Sequence, residues 1–117
     1  MALSVSKAPL RGEIWTLDLN PTRGHEQAGD RRPCLIVSAD ILNSGPAEMV
    51  FAVPLTTTDR GIRLHVRVEP PDVARPSVIM CDQLRAVSKE RLKARVGAIR
   101  PATLREVEDR IRIIMNL

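Results

Sequence analysis

The sequence predicts a mainly β domain of the α+β class, a small and strongly bent sheet or barrel with helices packed on it. Three observations point there. Five or more short apolar segments follow one another at close spacing, separated by turn signals. An amphipathic segment closes the chain. The length, 117 residues, fits one domain with a single core.

The elements follow in order. Residues 1–10 read as a loose tail and residues 11–117 as one domain. Residues 13–19, EIWTLDL, alternate apolar and polar as a strand. Asn20-Pro21 marks a turn, and a loop with Gly24 and Gly29 runs to Asp30. Pro33 to Val37 is a continuous apolar run, the pattern of a buried strand. Asp40 to Asn43 predicts one helical turn, and Met49 to Leu55 a third strand ending at Thr56-Thr57-Thr58. Asp59-Arg60-Gly61 is a turn, Leu64 to Val68 a strand, and Pro70-Pro71 breaks it. Ser77 to Asp82 predicts another strand, and Leu84 to Val87 a short one. Ser88 is placed to cap a short helix through Leu92. Pro101 opens the last helix, whose apolar stripe is Leu104, Val107, Ile111 and Ile114. Its charged residues read as a solvated face.

Composition narrows the function classes. No apolar stretch approaches the roughly 20 residues that span a bilayer, and the start lacks the apolar region of a secretion signal. A cytoplasmic protein without a membrane partner is expected. Cys34 and Cys81, the only cysteines, sit in apolar runs and read as reduced core residues. His25 and His65 have no metal-ligand spacing with them, so neither metal nor other cofactor is expected. The net charge is +4, and of 18 basic residues 15 are arginine. Arginine's planar fork suits phosphate and fits a nucleic-acid or acidic-peptide partner. With one Trp, one Phe and no Tyr, a grip built on stacked aromatics is disfavoured.

One stretch concentrates polar chemistry: NPTRGHEQAGDRRPCLIV, from Asn20 to Val37. RNA carries its own nucleophile, the 2′-hydroxyl. Cleavage without metal requires a base, an acid and a fixed cation beside the phosphate. His25 titrates in a suitable range. Glu26 is a candidate base, Arg32 can hold two phosphate oxygens, and the hydroxyls of Thr56, Thr57 and Thr58 stand at a strand end. Spacing by itself reaches a phosphate-binding loop with a hydrolytic option.

The segment RGEIWTLDLNPTRGHEQAGDRRPCLIVS (Arg11–Ser38) resembles the N-terminal signature of the MazF/PemK/Kid toxins of bacterial toxin–antitoxin modules. VFAVPLTTT, SVIMCDQLRAVSKERL and the terminal helix follow in the family's order. The resemblance implies a compact SH3-like barrel of the CcdB/PemK type, with a C-terminal amphipathic helix. It implies a homodimer, neutralised by an acidic MazE-like antitoxin. It also implies a sequence-specific, metal-independent endoribonuclease that cuts single-stranded RNA, leaving a 2′,3′-cyclic phosphate and a 5′-hydroxyl. Residue by residue, the family's loop arginine falls on Arg32, its strand-end threonine on Thr56, and its loop His and Glu on His25 and Glu26. Gln27, Thr57, Asp82, Gln83 and Arg23 are the matching substrate-binding candidates. Some members carry a catalytic arginine two residues before the aspartate of the CDQ motif. Here that position is Met80, so the Arg32/Thr56 assignment is preferred. Arginine is a poor base, so Arg32 is expected to stabilise the phosphorane while Glu26 or His25 handles the proton. Two other classes remain: a non-enzymatic toxin acting on a protein such as gyrase, and a nucleic-acid-binding module without turnover.

Overall fold

The computed structural model describes residues 8–20, 29 and 31–117. Its elements run β1 (Glu13–Leu17), β2 (Arg32–Ile36), α1 (Asp40–Ser44), β3 (Met49–Thr56), β4 (His65–Val68) and β5 (Ser77–Met80), followed by a 3₁₀ turn (Cys81–Gln83). Then come β6 (Arg85–Ser88), a second 3₁₀ turn (Lys89–Arg91), β7 (Leu92–Ala98) and α2 (Pro101–Met115). The seven strands form one antiparallel sheet in the order β4-β5-β3-β2-β1-β7, with β6 also paired to β3. The predicted mainly β class with a terminal helix is what the chain adopts.

Strand β3 organises the sheet. Along one edge it pairs with β2 (Cys34 opposite Pro54). Along the other it pairs first with β6 (Val50 opposite Val87) and then with β5 (Leu55 opposite Ile79). One strand serving two partners on the same edge bends the sheet. The alternation of side chains then builds two cores. Ile14, Leu35, Val53, Leu55, Val66, Ile79 and Val107 form one, under α2. Trp15, Leu17, Cys34, Ile36, Val50, Val87 and Leu92 form the other. Both cysteines are free thiols inside these cores, as the sequence predicts.

Helix α2 packs as its stripe requires. Val107 is fully buried in the first core, and Leu104, Ile111 and Ile114 lie against it. Asn116 ends the helix in the left-handed region (φ 58°), and the Leu117 N–H returns to the Arg112 carbonyl. Its charged face is not merely solvated: Glu108 takes a 2.6 Å hydrogen bond from Arg11, and Arg110 donates to the Arg63 carbonyl.

Two element readings are corrected. The strand predicted over Ser77–Asp82 stops at Met80, where the chain turns through Cys81–Gln83. Ser88 does cap, accepting from the Glu90 N–H, but the helix is a single 3₁₀ turn and β7 follows it. β7 was illegible because Lys93 to Val96 are all exposed, which removes the period-2 apolar signal. It is held by backbone pairing to β1, and by Arg95 donating to the Glu13 carboxylate at 2.6 Å. Burial pulls the Glu13 carboxyl up, but donors from Leu10, Trp15 and Arg95 outweigh it and hold it below the usual range. Charged side chains on such an edge discourage further strand addition.

Candidate active site

Arg32 is the first residue of β2. The β2–β3 register pairs Cys34 with Pro54, so two residues back along β2 Arg32 stands across from Thr56, the last residue of β3. The contact bears this out: Arg32 Nη2 donates to the Leu55 carbonyl at 3.3 Å, one peptide before Thr56. The Thr56 hydroxyl accepts from the Thr58 N–H at 3.2 Å, which folds the threonine run back over the strand end. A half-buried arginine and a threonine hydroxyl thus occupy facing positions at one end of the sheet, an arrangement suited to a phosphate.

Gly29 holds the arginine from the other side. Its carbonyl accepts from the Leu19 N–H at 2.8 Å, and its own N–H donates to Asn20 Oδ1 at 3.2 Å. Arg91 secures the same corner by donating to the carbonyls of Asp18 and Asn20. A methyl on Gly29 would lie 2.5 Å from Cδ and 2.7 Å from Cγ of Arg32. The glycine therefore permits backbone to lie against the arginine stem.

The row continues across the sheet. Thr56 is opposite Val78, and Val78 opposite Arg67, so Arg32, Thr56 and Arg67 share one face. Arg67 is exposed and paired with Asp59 at 3.0 Å. Two residues from Arg67 on the same face is His65, opposite Met80. His65 Nε2 lies 2.8 Å from Asp82 Oδ1. Gln83, beside Asp82, points its amide at the Met80 sulfur at 4.0 Å. Thr57 is exposed next to Thr56. Arg32, Thr56 and Thr57 stand at one end of the sheet, while Asp82 and Gln83 lie in the turn after β5, past the pairing of Met80 with His65. Arg23, His25, Glu26 and Gln27 lie outside the described residues.

Sequence reasoning passed over two cations here. Arg67 could have been found from the alternation His65-Val66-Arg67-Val68, which puts both polar residues on one face. Arg85 carried no such signal; its Nη1 is buried without a hydrogen-bond partner among the described residues. Burial pushes the Cys34 thiol up to about 12, against the opposing pull of the Arg32 and Arg85 guanidinium groups. Burial likewise lifts Cys81 to about 12. Neither sulfur is a nucleophile at neutral pH. A separate cleft of about 670 Å³, between β4 and α2, reaches this face only through His65, Arg67 and Val78.

Residues 10–115 match the family model of the PemK-like, MazF-like toxins of type II toxin–antitoxin systems, and the chain belongs to that family. Solved structures agree. MazF from Deinococcus radiodurans superposes with a TM-score of 0.85 at 25% identity, covering 94% of this chain and 98% of its own. An endoribonuclease from a mycobacterial species gives 0.77 at 30% identity, covering 94% and 93%. A mycobacterial endoribonuclease in complex with its cognate antitoxin gives 0.74 at 27% identity, covering 94% and 95%.

Proposed function

We propose that this toxin is a sequence-specific, metal-independent endoribonuclease acting on single-stranded RNA in the cytoplasm. The observation that carries the reading is the meeting of Arg32 and Thr56 at the ends of β2 and β3, in a chain of this family. The buried thiols have no thiolate to offer, and no serine lies beside a histidine in the chain. The substrate's 2′-hydroxyl therefore attacks the adjacent phosphorus. Arg32 neutralises the oxygens of the phosphorane. Thr56 fixes a phosphate oxygen by hydrogen bond. Glu26 or His25 removes the 2′ proton, and the 5′-oxygen leaves protonated. The products carry a 2′,3′-cyclic phosphate and a 5′-hydroxyl.

The protein works as a homodimer, and an acidic antitoxin segment competes with RNA for the arginine-lined face. Net charge of +4 and the antitoxin complex of the mycobacterial relative support this part of the reading. The direct test is incubation of the pure protein with a long RNA in EDTA, with the new 5′ ends mapped. Discrete cuts bearing 5′-hydroxyls are expected. Activity lost in EDTA and restored by Mg²⁺ or Mn²⁺ would overturn the metal-free mechanism.

A further inference from the structure

His65 looks structural by sequence, a polar residue alternating in a strand. Its setting is more specific. The ring is buried, with only 5% of the side chain exposed, and Nε2 lies 2.8 Å from Asp82 Oδ1. Nδ1 is buried and has no partner among the described residues. A proton on Nδ1 would thus be an unsatisfied buried donor, whereas a proton on Nε2 has a carboxylate to receive it. The ring therefore donates from Nε2.

Asp82 is the opposite case. Its side chain is 41% exposed, and among the described residues its carboxylate is hydrogen-bonded to His65 alone, through Oδ1. One oxygen is anchored by His65, and the partly exposed side chain leaves the second oxygen available to a ligand. A carboxylate at the surface ordinarily samples several rotamers, and fixing it costs side-chain entropy. Here that ordering is already built into the fold. The histidine backbone is held by the β4–β5 pairing of His65 with Met80 and by its N–H to the Ile62 carbonyl, and its ring is buried. Two strand spacings and two residues of rise separate Thr56 from His65, about 12 Å between Cα atoms. With the phosphate held at Arg32 and Thr56, a separation of that size is bridged by a flanking nucleotide, whose base can then reach the Asp82 bonded to His65.

We propose that His65 is a specificity-determining positioning residue: it aims the Asp82 carboxylate so that the free oxygen accepts from the exocyclic amino group of one base flanking the cut. Carboxylates read amino groups in this way, cytosine N4 being the common case. Uracil has no such amino group and is disfavoured at that position. The inference rests on the endoribonuclease reading above.

The test uses the full-length protein and a set of RNA oligonucleotides that place each of the four bases at every position around the mapped cut. Wild type is expected to discriminate at one position in favour of an amino-bearing base. His65→Leu keeps the bulk but removes the donor, and should flatten that one position by about tenfold while changing the others little. His65→Gln, whose amide reaches about as far as Nε2, should restore most of the discrimination, and the shorter His65→Asn should not. Asp82→Ala should flatten the same position, and adding it to His65→Leu should cause no further change. A merely structural role would slow all substrates alike and would not be rescued by Gln. Folded His65→Leu or His65→Asn with wild-type selectivity at every position overturns the proposal, as does a different position affected by Asp82→Ala. If His65→Leu does not fold, the Gln and Asn pair decides. Failure of wild type to cut any RNA is seen before any variant is made, and it removes the endoribonuclease reading together with this inference.

Discussion

Gly29→Ala tests whether the placement of Arg32, and not merely its charge, matters. Gly29 has φ +134°, a conformation in which an L side chain is strained, typically by about 1–3 kcal/mol. The added methyl would lie 2.5 Å from Arg32 Cδ. Carbon atoms prefer roughly 3.5–4.0 Å, so about 1 Å must be found. Gly29 is tied on both sides, by the Leu19 N–H at 2.8 Å and by Asn20 Oδ1 at 3.2 Å. The arginine stem is the softer partner and moves. Its hydrogen bond to the Leu55 carbonyl, already 3.3 Å, does not survive such a shift. Misplacing a catalytic group by about 1 Å typically costs on the order of 10²-fold. The backbone strain lowers the melting temperature by about 4–12 °C, taking about 2.1 cal/mol/K of unfolding entropy per residue. Turnover of a fluorogenic RNA, measured well below the melting temperature, reads the first effect, and thermal unfolding reads the second. Arg32→Ala added to Gly29→Ala should cost much less than Arg32→Ala alone. A Gly29→Ala protein that melts lower yet turns over at the wild-type rate would refute the clamp.

The other expectations are more direct. Arg32→Ala should stay folded and lose about 10²–10³ in turnover, whereas Arg31→Ala, an exposed neighbour, should be much milder; equal rates for wild type and Arg32→Ala would remove Arg32 from the mechanism. An oligonucleotide with deoxyribose only at the cleavage position should bind about as well as RNA yet stay intact, because the attacking group is gone; a cut at the same phosphate would mean a hydrolytic reaction. Both thiols are raised to about 12 by burial, so iodoacetamide at pH 8 should leave the native protein unlabelled. Since the native thiols hold their protons longer than unfolded ones, stability should decline as pH rises from roughly 9 towards 12. Labelling of the native protein at the rate of the denatured chain would contradict that burial.

How much of this was legible in the sequence follows from which interactions are local. Alternation fixed β1 and β4, and apolar runs fixed β2 and β3. Their side chains enter the two cores, and each pattern records the face it buries. The stripe Leu104, Val107, Ile111 and Ile114 fixed α2 for the same reason. β7 escaped because pairing with β1 is made by backbone atoms, which every residue has, while its side chains Lys93 to Val96 stay in solvent. The site divides likewise. The residue types of Arg32, Thr56 and Asp82, with their motifs, are in the sequence itself. Their placement is not: Arg32 stands opposite Thr56, 24 positions away, only because β2 and β3 run antiparallel in that register. His65 meets Asp82 only because β5 ends at Met80 and the chain then turns through Cys81–Gln83. Sequence by itself determined which chemistry the chain carries and which faces are buried, since both are properties of single residues and their local period. The tertiary structure decided which of these residues come to stand beside one another, because strand register is set jointly by packing on both sides of a sheet and by no segment alone.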